Sequence, residues 1–153
     1  IISEGHKVLV FSQFVSALNE FGTMLEDRDI QYLCLFGSTV DRDTPVMSFQ
    51  NDKNASKVFL ISLKAGGVGL NLTAASYVIL LDEWWNPAVE EQAMARTHRI
   101  GQVSPVNVIR IVCKDTVEEK ILELQERKRN VSDIFNSASG KLSLDEIKEL
   151  LLL

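Results

Sequence analysis

The chain has 153 residues, 46% of them hydrophobic and 24% charged, with a formal net charge of −5. That length has room for one core, and the balance excludes a disordered chain, a collagen-like fibre and a disulfide-stapled mini-protein. No apolar run reaches the roughly 18–20 residues of a transmembrane helix, and the acidic charge counts against a nucleic-acid partner. The chain begins abruptly at Ile1 with no leader before its first apolar run, which reads as a piece of a longer polypeptide.

Taken in order, Lys7–Phe11 predicts a first strand, and Phe14, Leu18, Phe21 and Leu25 place a helix over 14–26. Gln31–Phe36 predicts a second strand and 42–50 a shorter helix. Lys57–Ser62 and Tyr77–Leu81 follow as strands, then a helix over 87–99 and a fifth strand at Asn107–Val112. These strands are near-continuous apolar runs, the pattern of strands covered on both faces. Strands alternating with helices predict an α/β fold with a mostly parallel sheet. From residue 114 the pattern is helical throughout, so the expected division is a sheet domain over 1–113 and a helical appendage over 114–153. Thr116-Val117-Glu118-Glu119 forms a capping box, with Val117, Ile121 and Leu124 on one face behind it. A polar linker at 136–141 precedes a second box, Ser143-Leu144-Asp145-Glu146. Cys34 and Cys113 lie in apolar runs. With no CxxC and only His6 and His98 beside them, they read as reduced, buried thiols and not as a metal site.

Chemistry concentrates in two places. The segment Leu63-Lys64-Ala65-Gly66-Gly67-Val68-Gly69-Leu70-Asn71-Leu72-Thr73 follows the third strand, at the edge where α/β proteins hold ligands. Its glycines would let the main chain approach a phosphate closely; the same residues also suit a plain strand-to-helix turn. Leu72 stands where a dinucleotide-binding fingerprint needs its third glycine, and no GxxxxGK[ST] occurs, so the chain has no P-loop. The second place is Asp82-Glu83-Trp84-Trp85-Asn86-Pro87 and the helix it opens, with Asn86 as N-cap and Pro87 at the first helical position. Gln92, Arg96 and Arg99 fall on one face there. Two arginines at that spacing suit a polyphosphate clamp, or a solvated face paired with Glu90 and Glu91. One tryptophan ring is expected in the core, with the other free for a nucleic-acid backbone or another domain.

The run QAMARTHRIGQ (Gln92–Gln102) resembles motif VI of the Swi/Snf-type DNA-dependent ATPases of helicase superfamily two. SLKAGGVGLNLTAA (Ser62–Ala75) is similar to their motif V, KVLVFSQF (Lys7–Phe14) to motif IV, and FGST (Phe36–Thr39) to the motif after the second strand. The resemblance covers nearly the whole chain, in order. It departs at Phe36, where members often have Asp, and at Glu83, where they often have Pro or His.

The resemblance implies the second RecA-like lobe of a two-lobed motor. The first lobe, with its P-loop lysine and magnesium-binding acidic motif, would hold ATP and Mg2+. This lobe would supply Arg99 and Arg96 as arginine fingers, positioned by Gln92, with Gly69 beside the nucleotide. Double-stranded DNA would be held by Ser12, Gln13, Gly37, Ser38, Thr39, Lys64, Ala65 and Gly66, with Trp85 nearby. Partners would be that first lobe, duplex DNA and a nucleoprotein target, with no membrane. The capped helix from Thr116 resembles the family's bracing helix. The short link from the GST turn to Phe49 resembles bacterial members, favouring a cytoplasmic, nucleoid-associated protein over a nuclear one. The expected activity is ATP-driven translocation on duplex DNA. The alternatives are a non-catalytic regulatory module built on the same lobe, or a lobe of a strand-separating helicase. Of the 21 acidic residues, 9 lie from Lys114 onward beside 7 of the 16 basic ones, so the sheet domain remains mildly acidic. DNA would then be held by a local edge of amides and hydroxyls.

Overall fold

A computed structural model describes residues 1–52, 55–66, 70, 72–82, 106–122 and 126. It divides into two compact units, Ile1–Val112 and Cys113–Leu153.

In the first unit, β1 (Val8–Ser12), β2 (Tyr32–Leu35), β3 (Val58–Ser62), β4 (Tyr77–Leu80) and β5 (Asn107–Arg110) form one sheet in the order β2-β3-β1-β4-β5. Each neighbouring pair is parallel. Central β1 and β3 are buried at every position, which is why their sequences are unbroken runs of apolar residues before a terminal serine. All five predicted strands are present, shifted by a residue or two at their ends.

Alternation along the strands builds two cores. Val8, Val10, Val58 and Leu60 pack with Leu18 and Leu25 of α1 (Val15–Glu26). On the other face, Leu9, Phe11, Phe59 and Ile61 pack with Phe49 of α2 (Asp43–Asn51) and with Leu72 and Ala75. Phe14, expected on the buried face of the first helix, is instead its N-cap residue and 55% exposed. The chain leaves α1 through a Schellman arrangement. Asp29 adopts φ 55°, the Ile30 N–H donates to the Leu25 carbonyl at 2.9 Å, and the Asp29 N–H donates to Glu26 at 2.9 Å. Ile30 then packs in the same core as Leu25.

Both cysteines are exposed, contrary to the expected burial. Cys34 lies on β2, an edge strand of the sheet among the described residues. Cys113 follows β5, itself an edge strand with Val108 and Ile109 exposed. In the second unit, residues 117–122 are helical. Thr116 Oγ1 accepts from the Glu118 N–H at 3.2 Å, and the Glu119 carboxylate accepts from the Asp115 N–H at 2.8 Å. The reciprocal satisfaction of a capping box is thus present, displaced by one residue. Glu118 accepts the Cys113 N–H at 2.8 Å, and its negative charge raises the pKa of the Cys113 thiol. The linker at 136–141 and the second box at 143–146 lie outside the described residues.

Candidate functional site

Parallel strands bring all their carboxyl ends to one edge of a sheet, where loops must turn and main-chain groups are free for ligands. Here that edge gathers three of the predicted segments: Ser12 and Gln13 after β1, Gly37–Thr39 after β2, and Lys64–Gly66 after β3. The last of these is one helical turn, α3 (Leu63–Gly66), and not an irregular loop. Its alternate residues face opposite ways: Leu63 and Ala65 are buried while Lys64 is exposed. Ala65 therefore has only its main chain to offer a ligand. Gly69, Trp85, Gln92, Arg96 and Arg99, with the helix predicted over 87–99, lie outside the described residues.

The turn after β2 closes on itself. The Phe36 N–H donates to Thr39 Oγ1 at 2.9 Å, and the Thr39 N–H donates to the Phe36 carbonyl at 3.1 Å. Phe36, where the resembling family often has Asp, packs against the α1-side core. Gly37 and Ser38 are exposed at the tip. A Cβ on Gly37 would meet nothing within 4 Å, so packing within the lobe does not require glycine there. Beyond the turn, Asp41 Oδ1 accepts the Thr44 N–H at 3.1 Å at the start of α2. Hydrogen bonds from Thr44 lower the pKa of the Asp41 carboxyl.

Beneath the exposed tips lies a buried polar layer. Ser12 and Ser62 are register partners on the α1 side of the sheet, and both are buried. The Ser12 hydroxyl is occupied locally: it accepts the Phe14 N–H at 2.9 Å and lies 3.2 Å from the Phe14 carbonyl. Its side chain thus shapes the turn that carries Gln13, which is half-buried. Among the described residues the Ser62 hydroxyl has no hydrogen-bond partner, an uncommon state for a buried group. Asp82, at the end of the β4 path, is 9% exposed. Its two oxygens share the Gln13 N–H at 3.3 and 3.2 Å. That contact ties the first DNA-candidate segment to the acid two residues before the double tryptophan. The sequence reading assigned Asp82 no role, although an acid closing an apolar strand is a detectable signal.

Another contact had no sequence signal. Gln50 of α2 holds the chain leading into β4, accepting the Ala74 N–H at 2.8 Å and donating to Thr73 Oγ1 at 3.0 Å. An open cleft lined by Glu26, Asp29, Gln31, Tyr32 and Ser56 lies at the opposite, amino edge of the sheet, away from these segments. Among the described residues no three His, Cys, Asp or Glu side chains gather where they could hold a metal ion, and no helix is long and apolar enough to cross a membrane.

Comparison with known proteins places this geometry. Residues 1–101 match the helicase conserved C-terminal domain. The chain is 51% identical over 146 residues to an uncharacterized ATP-dependent helicase of Schizosaccharomyces pombe, covering 94% of this chain and 14% of that protein. It is 42% identical to the DNA repair protein rad8 of the same organism, covering 99% of this chain and 13% of that one. The chain therefore spans about one-seventh of the curated relatives it matches. A crystal structure of the C-terminal part of the Fun30 ATPase domain superposes with a TM-score of 0.76 at 38% identity, over 95% of this chain and 43% of that one. Both relatives are from a eukaryote, so the expected preference for a bacterial source finds no support.

Proposed function

Because the chain belongs to the helicase C-terminal domain family, in its Swi/Snf-type branch, we propose that it is the second motor lobe of a duplex-DNA translocase that remodels nucleoprotein. The motor lobe is assigned to 1–113, with 114–153 as a separate appendage. ATP binds between this lobe and a first RecA-like lobe of the same polypeptide, whose acidic motif holds Mg2+. Arg99 and Arg96 reach the γ-phosphate, where a guanidinium stabilises charge on the transferring oxygens. Gln92 positions them and Gly69 lies against the nucleotide.

The observation that carries this reading is the gathering of Gln13, Gly37–Thr39 and Lys64–Gly66 at one sheet edge. Exposed amides, hydroxyls and a single lysine suit a phosphate backbone, which such groups hold without reading sequence. Gly37, free of any packing demand, lets that backbone come close. Ser12 shapes the turn that presents Gln13, Ala65 contributes its main chain, and Trp85 lies near the DNA. A mildly acidic lobe can work this way because local geometry holds the DNA and the first lobe adds charge. Closure of the lobes on ATP and reopening after hydrolysis would step these contacts along one strand. Given the eukaryotic relatives, the protein is nuclear, and its target is a chromatin, transcription or repair complex.

The test is ATP turnover by the intact parent protein with and without duplex DNA, beside forked-duplex unwinding and triplex displacement. Duplex-stimulated turnover with triplex displacement and no fork opening is expected. Turnover indifferent to duplex would overturn the reading, and efficient fork opening would favour a strand-separating helicase.

A further inference from the structure

The connection from β3 to β4 begins with α3, and residues 72–76 form its return leg into the start of β4. That leg is held from two sides. Leu72 and Ala75 are buried in the α2-side core, and the Ala75 N–H closes on the Leu72 carbonyl at 3.3 Å. Between them, the Gln50 carboxamide grips the half-buried side of the turn, accepting from the Ala74 N–H at 2.8 Å and donating to Thr73 Oγ1 at 3.0 Å.

What makes this grip consequential is how firmly α2 is fixed. Phe49, beside Gln50, is fully buried, and its ring packs on Phe59 with centroids 5.2 Å apart. The Lys7 ammonium lies 5.1 Å from the centre of the Phe49 ring. It donates to the Phe49 carbonyl and, at 3.1 Å, to that of Asp52, occupying the carbonyls a helix leaves open at its end. At its other end α2 is separated from the GST turn by three residues, and there the Thr44 N–H donates to Asp41 Oδ1. One short helix thus connects the turn at Gly37–Thr39 to the return leg of the glycine-rich segment, and Gln50 is its side-chain link to that leg.

We infer that Gln50 is a positioning residue: by holding Thr73 and Ala74 to α2 it keeps the return leg of the β3–β4 connection in register with the GST turn, so that the DNA-contacting segments on either side act as one surface. The inference rests on the DNA-translocase reading and adds how its DNA edge is held in register. Gln50 touches neither nucleotide nor DNA. Its effect works through the fraction of molecules in which the segment is correctly placed, and apparent affinity falls in proportion to that fraction.

The experiment compares Gln50→Leu and Gln50→Glu in the intact parent protein. Leucine is similar in size and makes neither bond; glutamate can accept from both the Ala74 N–H and the Thr73 hydroxyl. Three quantities are read: hydrogen exchange over 63–75, ATP turnover without DNA, and the duplex concentration giving half-maximal stimulation. Gln50→Leu is expected to speed exchange over 63–75 and to raise the half-saturating duplex concentration by up to about tenfold, the scale of two ordinary hydrogen bonds lost. Turnover without DNA stays within about twofold, and Gln50→Glu restores both readouts. Equal half-saturation in wild type and Gln50→Leu overturns the inference, as does a loss of DNA-free turnover matching the loss in DNA response, because that marks general unfolding. A wild-type protein with no duplex stimulation overturns the translocase reading instead. Exchange that Gln50→Leu leaves unchanged overturns the clamp in either case.

Discussion

Replacing Asp82 by alanine removes the carboxylate that accepts the Gln13 main-chain N–H. The carboxylate is 9% exposed, and its two oxygens lie 3.3 and 3.2 Å from that nitrogen. Removing the acceptor of a part-buried donor costs up to about 1–3 kcal/mol. These distances lie at the long end of the hydrogen-bond range and the donor is shared, so the lower end applies, about 1 kcal/mol. Alanine also removes a buried charge and the cost of its desolvation, which offsets part of the loss in global stability. The effect should therefore be local: the turn over 12–14 opens more often while the sheet beneath it does not. Hydrogen exchange at the Gln13 amide reads this directly, and about 1 kcal/mol corresponds to roughly a fivefold fall in protection. Asp82→Asn keeps an acceptor oxygen and should stay within about twofold of wild type. Unchanged protection of Gln13 in Asp82→Ala would refute the role given to this bond. An equal fall in Asp82→Asn would show that charge, not the acceptor, holds the turn.

Phe49→Ala should destabilise the lobe by about 3–5 kcal/mol in denaturant melts, because the ring is fully buried and takes part in both the Phe59 packing and the Lys7 contact. Gly22→Ala should be destabilising despite alanine's advantage of about 1 kcal/mol in helix propensity: a Cβ there would meet the Tyr32 hydroxyl at 2.7 Å and its ring at 2.9 Å. Adding Tyr32→Leu should recover the loss, and a failure to do so would place the clash elsewhere. The Tyr32 phenol, donating to Glu26 at 2.7 Å, has its pKa raised first by that hydrogen bond, then by burial and by the charges of Glu26 and Cys34. The protonated form is thus favoured in the fold. Its contribution is present up to the ordinary tyrosine range and is lost as pH rises through the raised value. Melts from neutral to strongly alkaline pH should show an alkaline loss in wild type that is smaller in Tyr32→Phe. Gly37→Ala should leave thermal stability unchanged, as nothing lies within 4 Å of the new methyl, while weakening duplex binding in filter or anisotropy assays; unchanged binding would remove Gly37 from the DNA edge.

The strands were the most legible part of the fold, because a strand buried on both faces must be apolar throughout, and β1 and β3 are. The helices α1 and α2 followed from their spacing, though Phe14 misled: an apolar residue one step before a helix fits the same pattern whether it packs or caps. Cysteine burial was misread for a related reason, since an apolar run does not reveal whether its strand lies at the centre or the edge of the sheet. The DNA-candidate segments could be placed at one edge because each directly follows a strand, and parallel strands end together. What could not be read were contacts between elements distant in sequence. Gln50 and Ala74 lie 24 residues apart, and Gln13 and Asp82 are 69 apart. Neither pair carries a local pattern, because a side chain bonded to another element's main chain imposes no spacing on either. Net charge says little about the DNA-candidate edge, because it sums over the whole chain while the candidate segments are a few groups at one place.

The account stands most directly on Arg99. In the intact parent protein, duplex-stimulated ATP hydrolysis should fall about 10³–10⁵-fold in Arg99→Ala, the range of a lost arginine finger, with ATP binding largely kept. Stimulated hydrolysis by Arg99→Ala at the wild-type rate would contradict the claim that this lobe completes the nucleotide site.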